Sequence, residues 1–217
     1  MRNLHLAQRF IVKGERDKIL QWLAFVILLL LASTMVVKGG YMQAKAHFAQ
    51  YLIERAFTQT LADNKPHKPW SWADTHPVAK MRFISPKLKS SENDLYILAG
   101  ISGRTLAFGP GLFLGGATAG EQGNTIIAGH RDSHFLRLKY LQLGDVIELT
   151  NTQGHLSQYQ VTDLRVVHES QVEEMATTKD SRLTLITCYP FDALSAEADL
   201  RYIVEAKSIL VGRDSLI

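Results

Sequence analysis

Hydrophobic and polar positions change texture twice along the 217 residues of this chain. In the stretch "ILQWLAFVILLLLASTMVV", residues 19–37, only Gln21, Ser33 and Thr34 are polar and no side chain is charged. As a helix it would reach about 28 Å, close to the hydrocarbon thickness of a bilayer. A helix that is apolar on every face has no side to turn to water, so a membrane span over 19–38 is expected. Ala44-Lys45-Ala46 resembles a signal cleavage site. The apolar run, however, exceeds the roughly 7–15 residues of a signal core, and an uncleaved anchor is the expectation.

Beyond the span, Phe48, Tyr51, Leu52, Ala56 and Leu61 recur at helical spacing among Gln50, Glu54, Arg55 and Gln59. This predicts an amphipathic stalk helix over about 41–62. "NKPHKPWSWADTHP" follows, and its three prolines mark a linker. Its Trp70 and Trp72 suit either a lipid interface or packing against the following domain. The expected divisions are therefore a cytoplasmic basic N-terminus at 1–18, the span at 19–38, stalk and linker at 39–76, and a catalytic domain at 77–217.

After Pro77 the texture becomes one of short alternating runs: "VAKMRFI", "DLYILAG", "NTIIAGH", "DVIELTN", "SQYQVTDLRVV", "RLTLITC" and "LRYIVEAKSILV". Gly, Asn, Asp, Ser and Pro separate them, with "TQGH" the clearest hairpin turn and a short helical turn expected at "SQVEEMA". Seven or eight short strands with little helical periodicity predict an all-β barrel or sandwich. Segment 103–120 is too rich in glycine to be regular throughout.

Charge refines the picture in two ways. The net +3 resides in residues 1–18, which hold Arg2, Arg9, Lys13, Arg16 and Lys18 against Glu15 and Asp17, while the rest of the chain carries 19 basic and 19 acidic side chains. A neutral body lacks the basic surface that phosphate backbones require, so nucleic acid is not an expected partner. Basic residues before the span, against only Lys38 and Lys45 closely after it, predict a cytoplasmic N-terminus and an extracytoplasmic body.

That placement bears on Cys188, the single cysteine, which ends the run "RLTLITC". Outside the cytoplasm it has no partner within the chain for a disulfide, so it is either an inert buried thiol or a reactive one. Alternation puts Thr184, Ile186 and Cys188 on one strand face and Leu183, Leu185 and Thr187 on the other. Attack by a thiol needs a basic or cationic neighbour. His130, at the mouth of "NTIIAGHRD", is the candidate acid and base. Arg201, on one face of "LRYIVEAK" with Ile203 and Glu205, is a candidate to hold a peptide carbonyl as charge develops there. An alternative set, His130, Asp132 and His134 with Cys188, has metal-type ligands for a hydrolase, but the spacing matches no strong zinc signature. A non-catalytic peptide-binding module is the remaining alternative.

Taken together, "GNTIIAGHRDSHF", "LTLITCYPF" and the downstream Arg201 resemble the sortase family of membrane-anchored cysteine transpeptidases. The Thr-Leu-Ile-Thr-Cys run is the specific part, and the resemblance extends from about Val78 to Val211, through "SGRTLAFGPGLF" and "GEQGN". It implies an eight-stranded sortase-type β-barrel that binds a C-terminal sorting motif of the Leu-Pro-x-Thr-Gly kind on an exported protein. It further implies that Cys188 attacks the Thr–Gly carbonyl to give a thioacyl enzyme, which an amine acceptor from cell wall or another protein resolves. His130 would serve as acid and base, Arg201 would hold the oxyanion, and Thr187 would line the substrate pocket. The compact outline is similar to class D or proteobacterial sortases. The short segment 168–182 holds Glu169, Glu173, Glu174 and Asp180, which are expected to form a solvated face; neither metal nor cofactor is expected.

Overall fold

The computed structural model describes residues 2–88, 94–171, 173, 176–193 and 198–209, with side chains given at Lys18 and from Leu20 onward. The chain falls into two units, Met1–Phe48 and Ala49–Ile217. One helix, α1, runs Arg2–Asp63, so the separate stalk helix expected over 41–62 is part of a single element. The cause is local: Gly39 and Gly40 are the weakest helix formers between span and stalk, and no proline interrupts them. In the first unit the apolar side chains of the span, such as Trp22, Leu28 and Leu31, lie exposed. A stretch this long, apolar and unburied can cross a membrane.

The second unit is a closed eight-stranded barrel ordered β1-β2-β3-β4-β7-β8-β6-β5. Its strands are β1 (Pro77–Ile84), β2 (Leu95–Ala99), β3 (Gly111–Leu112), β4 (Gly123–Ala128), β5 (Val146–Asn151), β6 (Leu156–His168), β7 (Ser181–Tyr189) and β8 (Leu200–Ile209). Seven of them follow the alternating runs; β3 has only two residues, too few for alternation to reveal. Its partner β2 runs parallel to it and approaches so closely that a Cβ on Gly111 would lie 2.1 Å from the Gly100 carbonyl oxygen. The β5–β6 hairpin turns where "TQGH" predicts. There the Asn151 side chain accepts from the Gln153 and His155 amides, and Gly154 takes φ +79°.

Inward positions of the strands form the core: Met81, Phe83, Ile97, Ile127, Ile147, Leu149, Leu183, Leu185 and Val204 are essentially inaccessible. Closure pairs every strand on both sides and leaves no open edge. The C-terminal part of α1 buries Ile53, Ala56 and Phe57, with the Phe57 ring 5.6 Å from that of Tyr96 on β2. Gln50 donates to the Phe108 carbonyl, and Trp70 packs edge-on against the Phe108 ring at 4.8 Å while Trp72 stays exposed. Between β2 and β3 a four-residue helix, α2 (Gly103–Leu106), is capped by the Ser102 hydroxyl. A 3-10 turn at Leu136–Tyr140 follows β4. Val172, Glu174 and Met175 of the helical turn expected at "SQVEEMA" lie outside the described residues.

Candidate active site

The β7 run "LTLITC" sets the site because its odd and even residues have separate tasks. Leu183 and Leu185 enter the core, which turns Thr184, Ile186 and Cys188 to the outer face of the barrel. Antiparallel pairing with β8 sets Thr184 opposite Glu205, Ile186 opposite Ile203 and Cys188 opposite Arg201. Residues directly opposite in such a ladder share a face, with Cα atoms about 4.5–5.5 Å apart. Cys188 is half-buried and is a free thiol.

On the other side of β7 lies β4, parallel to it, with Ala128 level with Ile186. The ladder runs one residue further, since the Gly129 amide donates to the Ile186 carbonyl at 3.1 Å. His130 follows at once and is exposed, two residues past Ala128 as Cys188 is two past Ile186. The three candidates therefore come from adjacent strands in the order β4, β7, β8, with the thiol in the middle. Ile126 and Ile203 belong to this same outer face but are each 1% exposed, so they lie covered, and Ile186 is the half-buried apolar neighbour of Cys188 on that face.

Local packing holds the His130 loop. A Cβ on Gly129 would lie 2.9 Å from the Phe135 ring, so glycine is what lets the fully buried Phe135 lie against the backbone. The Phe135 amide returns to the His130 carbonyl at 3.1 Å. Thr187, expected in the substrate pocket, is 2% exposed, sits on the face opposite Cys188, and donates its hydroxyl to the Gly129 carbonyl at 2.7 Å. It braces the residue before His130. Arg131, which the sequence reading passed over, is also buried and donates to the Ala193 carbonyl at 3.4 Å, linking the histidine loop to the segment after β7. Beneath them Tyr189, Phe191 and Tyr202 form an aromatic cluster, with Phe191 and Tyr202 5.1 Å apart and packed on the core.

Arg201 carries the second unexpected contact. Its Nη2 donates to Glu169 Oε2 at 2.7 Å, and its Nη1 donates to the carbonyls of Ala198 and Leu200 at 2.5 and 3.1 Å. Glu169 stays exposed, as a solvated acid does, while pairing with Arg201. The metal-hydrolase alternative finds no support: Asp132 is exposed, and among the described residues no three His, Cys, Asp or Glu side chains gather as a metal site. His134 is half-buried and its Nδ1 lacks a hydrogen-bond partner among the described residues. Burial, then the charges of Arg137 and His130, hold its pKa below the ordinary histidine value.

The structure thus brings a thiol and an arginine on adjacent strands and a histidine just past the next strand to one end of the barrel. The sequence profile of the Sortase domain matches residues 86–209, more than half of the chain, and the protein belongs to the sortase family. It is 28% identical to Sortase D of Bacillus subtilis over 125 residues, which cover 57% of this chain and 61% of that one. It is 39% identical to Sortase A of Listeria monocytogenes over 71 residues, 31% of this chain and 32% of that one. The matched region is thus less than two thirds of either relative's length. Among solved structures, the catalytic domain of B. anthracis SrtD superposes with a TM-score of 0.51 at 32% identity, covering 61% of this chain and 87% of that one. A Clostridium perfringens Sortase D5 transpeptidase gives a TM-score of 0.59 at 22% identity, over 75% and 99%, a likeness of fold.

Proposed function

We propose that this protein is a sortase-type cysteine transpeptidase that cuts a C-terminal sorting motif of the Leu-Pro-x-Thr-Gly kind and passes the acyl part to an amine. The observation that carries this reading is the register of β7 on β8, which sets the only thiol opposite Arg201 on the outer face of the barrel. Cys188 attacks the Thr–Gly carbonyl as a thiolate, and Arg201 stabilises the oxygen as it becomes an oxyanion. His130, as imidazolium, protonates the departing glycine amine when the C–N bond breaks, leaving a thioester and a neutral imidazole. An incoming amine is deprotonated by that imidazole as it attacks the thioester, and collapse restores the thiolate and an amide. Ile186, half-buried on the Cys188 face, is the apolar side chain available to the leucine or proline of such a motif. Thr187 acts through the Gly129 carbonyl rather than by touching substrate.

The helix around residues 19–38 tethers the barrel to the bilayer, with the N-terminus cytoplasmic and the catalytic domain, from about residue 77, outside. Substrate and enzyme then share one membrane surface. The test is incubation of the full chain in detergent micelles with a peptide pool of Leu-Pro-x-Thr-Gly with x randomised, followed by intact mass spectrometry. A thioester adduct on Cys188, and more than a thousandfold loss of transfer to a glycine amine in Cys188→Ala, are expected. An alanine variant that retains full transfer would sink the reading.

A further inference from the structure

We infer that Glu169 is a positioning residue for Arg201, standing to the guanidinium as an orienting acid stands to a catalytic base. The inference rests on the transpeptidase reading above and adds a role that Cys188, His130 and Arg201 do not include. It starts from strand order. β8 lies between β7 and β6, so Arg201 has Cys188 as its register neighbour on one side and Val167 on the other. Glu169 follows β6 by one residue and approaches from the side away from the thiol.

The approach is built into the backbone. The Glu169 amide donates to the Asp199 carbonyl at 2.7 Å, which extends the β6–β8 ladder past its last registered pair, His168 with Leu200. A tight turn follows: the Gln171 amide donates to the His168 carbonyl at 2.9 Å, the His168 amide to Gln171 Oε1 at 3.0 Å, and His168 Nδ1 and Ser170 Oγ lie 2.8 Å apart. These contacts hold the backbone from which the Glu169 side chain reaches Arg201.

Both Nη1 protons of Arg201 then go to the Ala198 and Leu200 carbonyls, and one Nη2 proton goes to Glu169. Nε–H has no acceptor among the described residues. A long side chain with several torsions is thus held at three points, with Nε–H and the second Nη2 proton left over for a developing oxyanion. Freezing the guanidinium before substrate arrives removes the ordering cost from the transition state, so the benefit belongs to kcat. Glu169 carries charge as well as geometry, because an ion-paired bond to Arg is stronger than a neutral one.

The deciding experiment compares wild type, Glu169→Gln, Glu169→Ala and Glu169→Asp as full chains in micelles, with Cys188→Ala and Arg201→Ala alongside, on the x-randomised Leu-Pro-x-Thr-Gly pool. Glu169→Gln is expected to lower kcat about tenfold with KM within about twofold, Glu169→Asp to recover most of it, and melting temperature to stay put. A Glu169→Gln enzyme as fast as wild type or faster, with Cys188→Ala and Arg201→Ala inactive, overturns the inference and leaves the transpeptidase intact. Full turnover by Cys188→Ala, or no thioester on the wild-type thiol, overturns the transpeptidase reading and the role of Glu169 with it.

Discussion

Thr187 and Gly129 carry a division of labour that the nucleophile beside them does not reveal. The Thr187 side chain cannot reach a substrate on the Cys188 face, yet its hydroxyl holds the carbonyl of the residue just before His130. Thr187→Val keeps the shape of the side chain and removes the donor, leaving a buried carbonyl without that bond. The expected cost is about 1–3 kcal/mol of stability, read by urea unfolding, with kcat falling and Cys188 still forming a thioester. An unchanged urea midpoint would show that the bond adds nothing. Glu169 shows the same logic from the other flank: in both cases the group that acts is held by one that does not touch the reacting atoms. Two of the three orienting contacts, from Thr187 and Arg131, are made by residues immediately next to a proposed catalytic residue; for Thr187, strand alternation points the side chain away from Cys188.

Elements matter through what they fasten. The last turns of α1 are more than a stalk, since Ile53, Ala56 and Phe57 are buried against the barrel and Gln50 reaches the Phe108 carbonyl. Phe57→Ala should therefore destabilise the catalytic unit by about 3–5 kcal/mol, detected as a lowered thermal midpoint, whereas a substitution of that kind on a mere spacer would change little. The parallel pairing of β4 with β7 is the second fastening. It brings His130 and Cys188, which are 58 residues apart in the chain, to the same end of neighbouring strands. The β7–β8 ladder does the same for Cys188 and Arg201, and here only 13 residues separate them.

For the molecule as a whole, the location of one thiol is a complete topological assay, because Cys188 is the only cysteine. A membrane-impermeant maleimide should label the chain on intact cells stripped of any outer wall or membrane, and labelling only after lysis would reverse the proposed orientation. Labelling also needs the thiol accessible, as its half-buried position on the outer face allows. Five basic residues precede the apolar run, where the positive-inside rule uses them.

Much of this was legible in the residues. The span, the seven longer strands and the "TQGH" hairpin are written in local hydrophobic period and turn chemistry, which act over a few residues. Alternation alone placed Cys188 on the face away from Leu183 and Leu185, and Arg201 on the face of Ile203 and Glu205. What stayed hidden depends on pairing between distant segments. β3 is too short to have a period, the β4–β7 neighbourhood comes from closing the barrel, and the bond from Glu169 to Arg201 spans 32 residues with no local mark on either. A solvent-facing acid and an orienting acid have the same sequence signature; they differ only in which strand end the closed sheet sets beside them.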